Sequence, residues 1–194
     1  MIEVVLASSN PHKIEEINAI ANHKGINFVP ACDGFNPIEN GVTFVENSTI
    51  KASTASKLMN TFALADDTGL CVDVLDGRPG LHSARYAPTQ QEKIAKLLAE
   101  LDNQPVEKRT ARFVCSMVLT NAKGEVIHST EGICEGSIAF EPYGNGGFGY
   151  DPIFNVDGLN KTMAEFSAEE KNSLSHRAKA LNPMLDWIKE NLHT

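Results

Sequence analysis

The chain has 194 residues, a formal net charge of −8, 42% hydrophobic residues and 22% charged residues. This length suits one domain with enough interior to bury most of its surface. This composition is ordinary for a soluble globular protein. The acidic balance excludes the broad basic footprint of a nucleic-acid surface, although a single nucleotide needs only a few local Lys and Arg residues. No stretch approaches the ~18 apolar residues of a membrane span, and no basic segment with a signal-length apolar run opens the chain. Cys32, Cys71, Cys115 and Cys134 form no CxxC pair and match no zinc spacing, so they read as reduced thiols of a cytoplasmic protein.

In chain order, Ile2 to Ala7 reads as a buried strand, Ser8 to His12 as a polar turn, and Lys13 to Ile20 as a helix with apolar residues at 14, 17 and 20. Ile26 to Val29 is a short strand, and 31 to 41, with Gly34, Pro37 and Gly41, is a loop. Thr43 with Glu46 makes a capping box for a helix reaching about Asn60. Phe62 to Ala65 is a strand that runs into Asp66 and Asp67, with Thr68 and Gly69 bending the backbone and Cys71 to Leu75 following as a second strand. Residues 78 to 86 are irregular and Gln91 to Leu101 is an amphipathic helix. Ala111 to Thr120 and Glu125 to Ile138 flank the turn Asn121 to Gly124 as a hairpin. Tyr143 to Asp151 is a Gly-rich loop. Ser173 caps a last helix reaching Asn191, interrupted or kinked near Pro183. Strands mixed with helices throughout make this an α/β protein with a mixed sheet.

Asp66 and Asp67 carry the most information. Two adjacent carboxylates repel unless a proton or cation lies between them. Oxygen-rich sites of this kind suit Mg²⁺, which binds through one or two carboxylates plus waters and substrate phosphates. The plain alternative is that one Asp caps a turn and the other faces solvent. The turn Ser8, Ser9, Asn10, Pro11, His12 with Lys13 would present backbone N–H groups and one ammonium to an anion, or it is simply a capped turn. It lacks the glycines of a Walker A loop.

Glu39 lies in the Gly/Pro loop within reach of a metal. Asn47 and Lys51 share a helix face, and Lys51 suits a phosphate, or is solvated. Four glycines between 144 and 149 surround Phe148, a ring that can stack on a nucleobase for ~1–3 kcal/mol or tuck into the core. Lys171, His176 and Arg177 gather donors for carbonyl or phosphate oxygens, or form a surface charge run. Arg78, His82, Arg85 and Tyr86 make a further polar group without an obvious assignment.

Together these segments resemble one family from Val4 to about Leu181. The motifs are Ser8-x-Asn10-x-x-Lys13, Gly41-x-Thr43-Phe44-x-Glu46-Asn47, Ala65-Asp66-Asp67-Thr68-Gly69-Leu70, Gly77-x-Pro79-Gly80-x-x-Ser83-Ala84-Arg85-Tyr86, Gly146-Gly147-Phe148-Gly149-Tyr150-Asp151-Pro152-Ile153-Phe154, and Glu169-Glu170-Lys171-Asn172-x-x-Ser175-His176-Arg177. In this order they are similar to the inosine triphosphate pyrophosphatase family, the Ham1-like proteins or XTP/dITP diphosphatases.

The resemblance implies Mg²⁺-dependent hydrolysis of deaminated purine nucleoside triphosphates (ITP, dITP, XTP) to the monophosphate and pyrophosphate, which cleanses the nucleotide pool. It implies a single domain, 1–194, built on a long mixed sheet flanked by helices, with two lobes, a central nucleotide-binding cleft and assembly as a homodimer. It makes Asp67 the catalytic base and a metal acid, and Glu39 the other metal carboxylate. Ser8, Ser9, Asn10, Pro11, His12 and Lys13 become the phosphate loop, with Lys51 adding charge there and Thr68 contacting substrate where the family commonly has Ser. Phe148, Gly149, Tyr150, Asp151, Lys171, His176 and Arg177 become the base side. Donors matched to a 6-oxo group would be left unpaired by the adenine amino group, which gives rejection of ATP. The competing readings are a Maf-like pyrophosphatase with another base preference and a nucleotide-binding module without catalysis.

Overall fold

The computed structural model describes residues 2–22 and 24–192. Its strands are β1 (Ile2–Leu6), β2 (Ile26–Pro30), β3 (Ala63–Val72), β4 (Thr110–Thr120), β5 (Val126–Ile138) and β6 (Phe154–Val156). Its helices are α1 (Pro11–Ala21), α2 (Phe44–Met59), α3 (Gln90–Glu100), α4 (Ala168–Leu174) and α5 (His176–Asn191). The strands form one six-stranded sheet in the order β2-β1-β3-β4-β5-β6. β1 runs parallel to β2 and β3, whereas β6 is antiparallel to β5, so the sheet is mixed and the fold is α/β. The hairpin between β4 and β5 closes on Asn121, whose N–H donates to the Glu125 carbonyl at 3.0 Å.

The chain divides into two compact units. The first comprises residues 1–67, 115–132 and 176–194, and the second 68–114 and 133–175. In the first, β1 shows why the middle of a parallel sheet is apolar at every position. Successive side chains point to opposite faces. Val4 and Leu6 join Ile17 of α1 and Leu181, Leu185 and Ile188 of α5, while Val5 and Ala7 join Ala52 and Ala55 of α2. The alanines on α2 let that helix lie close to the sheet. Gly132 does the same for α5, since a Cβ there would sit 2.1 Å from the His176 carbonyl oxygen.

The second unit is built around Leu70, Leu97, Leu101, Phe113, Ile138, Ile153 and Phe154. Arg109 is 2% exposed there. Its guanidinium is satisfied by the carbonyls of Leu101, Ile138 and Ala139 at 2.7–2.8 Å, as a buried cation must be.

Four expectations need correction. Residues 62–75 are not two strands around a turn: β3 runs unbroken from Ala63 to Val72, with Asp66 and Asp67 in its middle, and 73–75 is a 3-10 turn. Ser173 is not a helix cap but lies inside α4, which Ser167 caps in a reciprocal box with Glu170. The chain breaks at Ser175, whose φ of −68° and ψ of 157° are extended, and Pro183 sits within the continuous α5. The Thr43 hydroxyl does accept from Glu46 N at 3.2 Å, but the Glu46 carboxylate accepts from Val42 N rather than closing the box on Thr43.

Candidate active site

In the first unit, β1 delivers the chain to a polar turn at its carboxyl end. The Asn10 side chain accepts from His12 N at 3.0 Å and from Lys13 N at 3.4 Å, and Pro11 opens α1. This is the preferred chemistry of a helix start. The Lys13 ammonium then reaches β3, 2.9 Å from Asp66 Oδ2. The same oxygen lies 3.4 Å from Arg177 Nη2 of α5, and the other Arg177 Nη pairs with Glu16 of α1. Asp66 is 1% exposed. Burial alone would raise its carboxyl, but Lys13, Arg177 and Lys51 outweigh that and hold it well below the usual carboxylate range. Arg177 is raised in turn, with Asp66 the main cause against the opposing effect of burial.

Asp67 is half-buried and has different partners. Asn47 Nδ2 donates to its Oδ2 at 3.1 Å, and Lys51 Nζ lies 3.7 Å from its Oδ1. Lys51 is also 2.9 Å from Glu39 Oε2, so one ammonium bridges the two carboxylates. Burial pushes the Asp67 carboxyl up, and neighbouring Glu39 adds to this, against the opposing pull of Lys51, Lys13 and Asn47. Lys51 is raised because Asp66, Asp67 and Glu39 together exceed its own burial effect.

Glu39 and Asp67 offer hard oxygen donors, already gathered around a cation, and they suit Mg²⁺ bound partly through waters and phosphate oxygens. Among the described residues, no group of three or more His, Cys, Asp or Glu could hold a metal. A metal held by these two carboxylates would complete its shell with waters or the oxygens of a bound anion.

In the second unit, the Gly-rich loop is tied down through Asp151, which is 3% exposed. Its Oδ2 accepts from Phe148 N at 2.8 Å and from Lys171 Nζ at 2.7 Å. Lys171 Nζ also lies 4.7 Å from the centre of the half-buried Phe148 ring, within cation–π range. Gly147 has φ +67°, and a Cβ on it would lie 2.0 Å from Asp151 Oδ2, so the turn requires glycine. Gly149 N donates to Gln90 Oε1 at 3.2 Å, and the Tyr150 hydroxyl donates to Ser83 O at 3.0 Å.

The model of the Ham1 family matches residues 4–187. The chain belongs to the Ham1 family. It is 46% identical over 196 residues to the dITP/XTP pyrophosphatase of Halalkalibacterium halodurans, covering 97% of this chain and 100% of that protein. It is 45% identical over 190 residues to the dITP/XTP pyrophosphatase of Bacillus subtilis, covering 95% and 96%. The solved Ham1 protein from Coxiella burnetii superposes with a TM-score of 0.89 at 40% identity, covering 98% of this chain and 100% of that one. The Staphylococcus aureus Ham1 protein gives 0.86 at 38%, with the same coverage.

The Ham1 chain thus gathers Lys13, Glu39, Lys51, Asp67 and Arg177 in the first unit, and Phe148, Gly149, Asp151 and Lys171 in the second. Lys171 belongs to the second unit, and His176 and Arg177 to the first. Arg177, expected beside a base, has its guanidinium on Asp66 and Glu16, and His176 is 3% exposed. Thr68 is half-buried at the start of the second unit. Two participants went unnoticed in the sequence: Asp66 as the anchor of Lys13 and Arg177, and Glu16. For Glu16 no local signal exists, because its partner is 161 residues away.

Proposed function

We propose that this chain is a nucleoside-triphosphate pyrophosphatase that hydrolyses ITP, dITP and XTP to the monophosphate and pyrophosphate, with Mg²⁺ as cofactor. The observation that carries the reading is the half-buried Asp67 carboxylate, held by Asn47 and bridged to Glu39 by Lys51. Support for the substrate comes from relatives named dITP/XTP pyrophosphatase over nearly their whole length.

Asp67 would accept a proton from water. The water oxygen adds to the α-phosphorus, the bond from that phosphorus to the α,β-bridging oxygen breaks, and pyrophosphate leaves. Lys13 and Lys51 place positive charge against the triphosphate, with Ser8, Ser9, Asn10, Pro11 and His12 forming the loop around it and Thr68 adding a hydroxyl. Mg²⁺ held by Glu39 and Asp67 would neutralise phosphate charge. Phe148 offers a ring for stacking, and Gly149, Tyr150, Asp151 and Lys171 set that ring and its polar surroundings. His176 and Arg177 are assigned to the 6-oxo edge of the base on the motif match alone. The ion pairs of Arg177 give it, in addition, the task of holding Asp66. The cytoplasmic location, the homodimer, and the single two-lobed domain with its cleft belong to the same proposal.

The test is pyrophosphate release from ITP, dITP, XTP, GTP, ATP and dTTP, with and without Mg²⁺. The expected result is fast release from the deaminated purines and little from ATP, lost when the metal is removed. A preference for dTTP supports a Maf-like enzyme, and binding of ITP without turnover supports a nucleotide-sensing module.

A further inference from the structure

We infer that Asn47 is a positioning residue that sets both metal-facing carboxylates, Asp67 directly and Glu39 through Gly41. The inference rests on the function proposed above. Asn47 lies in the first turns of α2 and is 3% exposed. Its amide works in both directions: Nδ2 donates to Asp67 Oδ2 at 3.1 Å, and Oδ1 accepts from Gly41 N at 2.9 Å. Gly41 is two residues beyond Glu39 in the loop ahead of α2.

The loop is pressed against this amide. A Cβ on Gly41 would come 2.7 Å from Asn47 Oδ1 and 2.7 Å from Glu46 Cβ. Glycine at 41 therefore answers to closeness, and Ala there would push the amide away. The helix start is itself fixed, by the Thr43 hydroxyl on Glu46 N and the Glu46 carboxylate on Val42 N. One turn further along the same face, Lys51 spans Glu39 and Asp67. One rigid helix face thus sets the spacing of two acids that come from a loop and a strand.

Few side chains can do this. A carboxamide carries a donor and an acceptor on one planar group. Asp at 47 would set a like charge against Asp67, and Ala would remove both bonds. Partners behind metal-binding carboxylates orient them and tune their affinity.

The experiment measures Mn²⁺ binding by electron paramagnetic resonance. It uses the full chain and an ITP analogue with nitrogen in place of the α,β-bridging oxygen. Asn47→Ala and Gly41→Ala should each raise the Mn²⁺ concentration for half-saturation by about 10–100-fold. Asn47→Ala should also speed hydrogen exchange at Gly41 N–H. Thr49→Ala on the same helix, which loses only a hydroxyl bond to Val45 O, should bind Mn²⁺ like wild type. A merely structural Asn47 would lower the melting temperature without moving Mn²⁺ affinity. If Asn47→Ala, or Gly41→Ala where the former fails to fold, binds Mn²⁺ within about twofold of wild type, the inference falls. A wild-type protein that binds no Mn²⁺ and releases no pyrophosphate from ITP overturns the proposed function and this inference with it. A wild type that does both, beside unmoved variants, overturns this inference alone.

Discussion

Asp66 and Asp67 are neighbours in the chain but stand on opposite faces of β3. One is enclosed by Lys13 and Arg177, and the other is half-open beside Asn47 and Lys51. Alternation along a strand therefore separates an enclosed, ion-paired carboxylate from the half-open one proposed to do the chemistry. The two substitutions should fail differently. Asp67→Asn should lower kcat by about 10²–10⁴-fold, the usual worth of a positioned base, with a melting temperature near that of wild type. Asp66→Ala should unfold readily, by about 3–5 kcal/mol, because it leaves buried cations without their counter-charge. Pyrophosphate release and urea melts on both proteins read the two effects separately.

Asp66 also makes stability depend on pH in a fixed direction. Its folded carboxyl titrates well below the ordinary value, against burial and because of Lys13, Arg177 and Lys51. A depressed carboxyl stabilises the fold fully above the unfolded value of about 3.9 and loses that contribution as pH falls below it. Urea midpoints should therefore drop from about pH 4 downward in wild type. In Asp66→Asn the curve should be lower at neutral pH and flatter in acid.

Much of this was legible beforehand, and the failures share a cause. Asp67, Lys13 and Phe148 announce themselves through local composition: paired acids, a polar turn after an apolar run, a ring among glycines. The unbroken β3 did not, because Asp66, Asp67, Thr68 and Gly69 are turn-forming residues and the strand is buried on both faces through Ala63–Asp66, which erases the alternation. Tertiary pairing of Asp66 with Lys13 and Arg177 overrides that preference. Ser167 and Glu170 carry a capping signal that a run of charged residues masks, which leaves Ser173 as the more visible cap in the sequence. Pro183 suggests an interruption or a kink, and α5 is not interrupted there because packing of Ala180, Leu181, Met184 and Leu185 outweighs one missing hydrogen bond.

The Gly147 turn gives a third expectation. Gly147→Ala places a Cβ where Asp151 Oδ2 now lies, at a φ of +67°. It should destabilise the fold by about 1–3 kcal/mol and disturb the Asp151 bonds to Phe148 N and Lys171. Thermal melts measure the first effect, and an increased KM for ITP at nearly unchanged kcat measures the second.

Lys171→Met tests the aromatic partner directly. It keeps an unbranched chain over Phe148 but removes the ammonium that meets both the ring and Asp151. KM for ITP should rise by roughly tenfold, equivalent to about 1.4 kcal/mol, with kcat within a few-fold of wild type. Equal losses in kcat and kcat/KM would instead place Lys171 in the transition state.

The Asn10 cap bears on how tightly any anion can be held at the start of α1. Its side-chain oxygen already occupies the His12 and Lys13 amides, the donors that a helix N-terminus would otherwise extend outward. A phosphate taking those amides swaps one acceptor for another, and the net gain of such an exchange is small. Any anion at this helix start therefore competes with the Asn10 carboxamide for amides that the fold already uses.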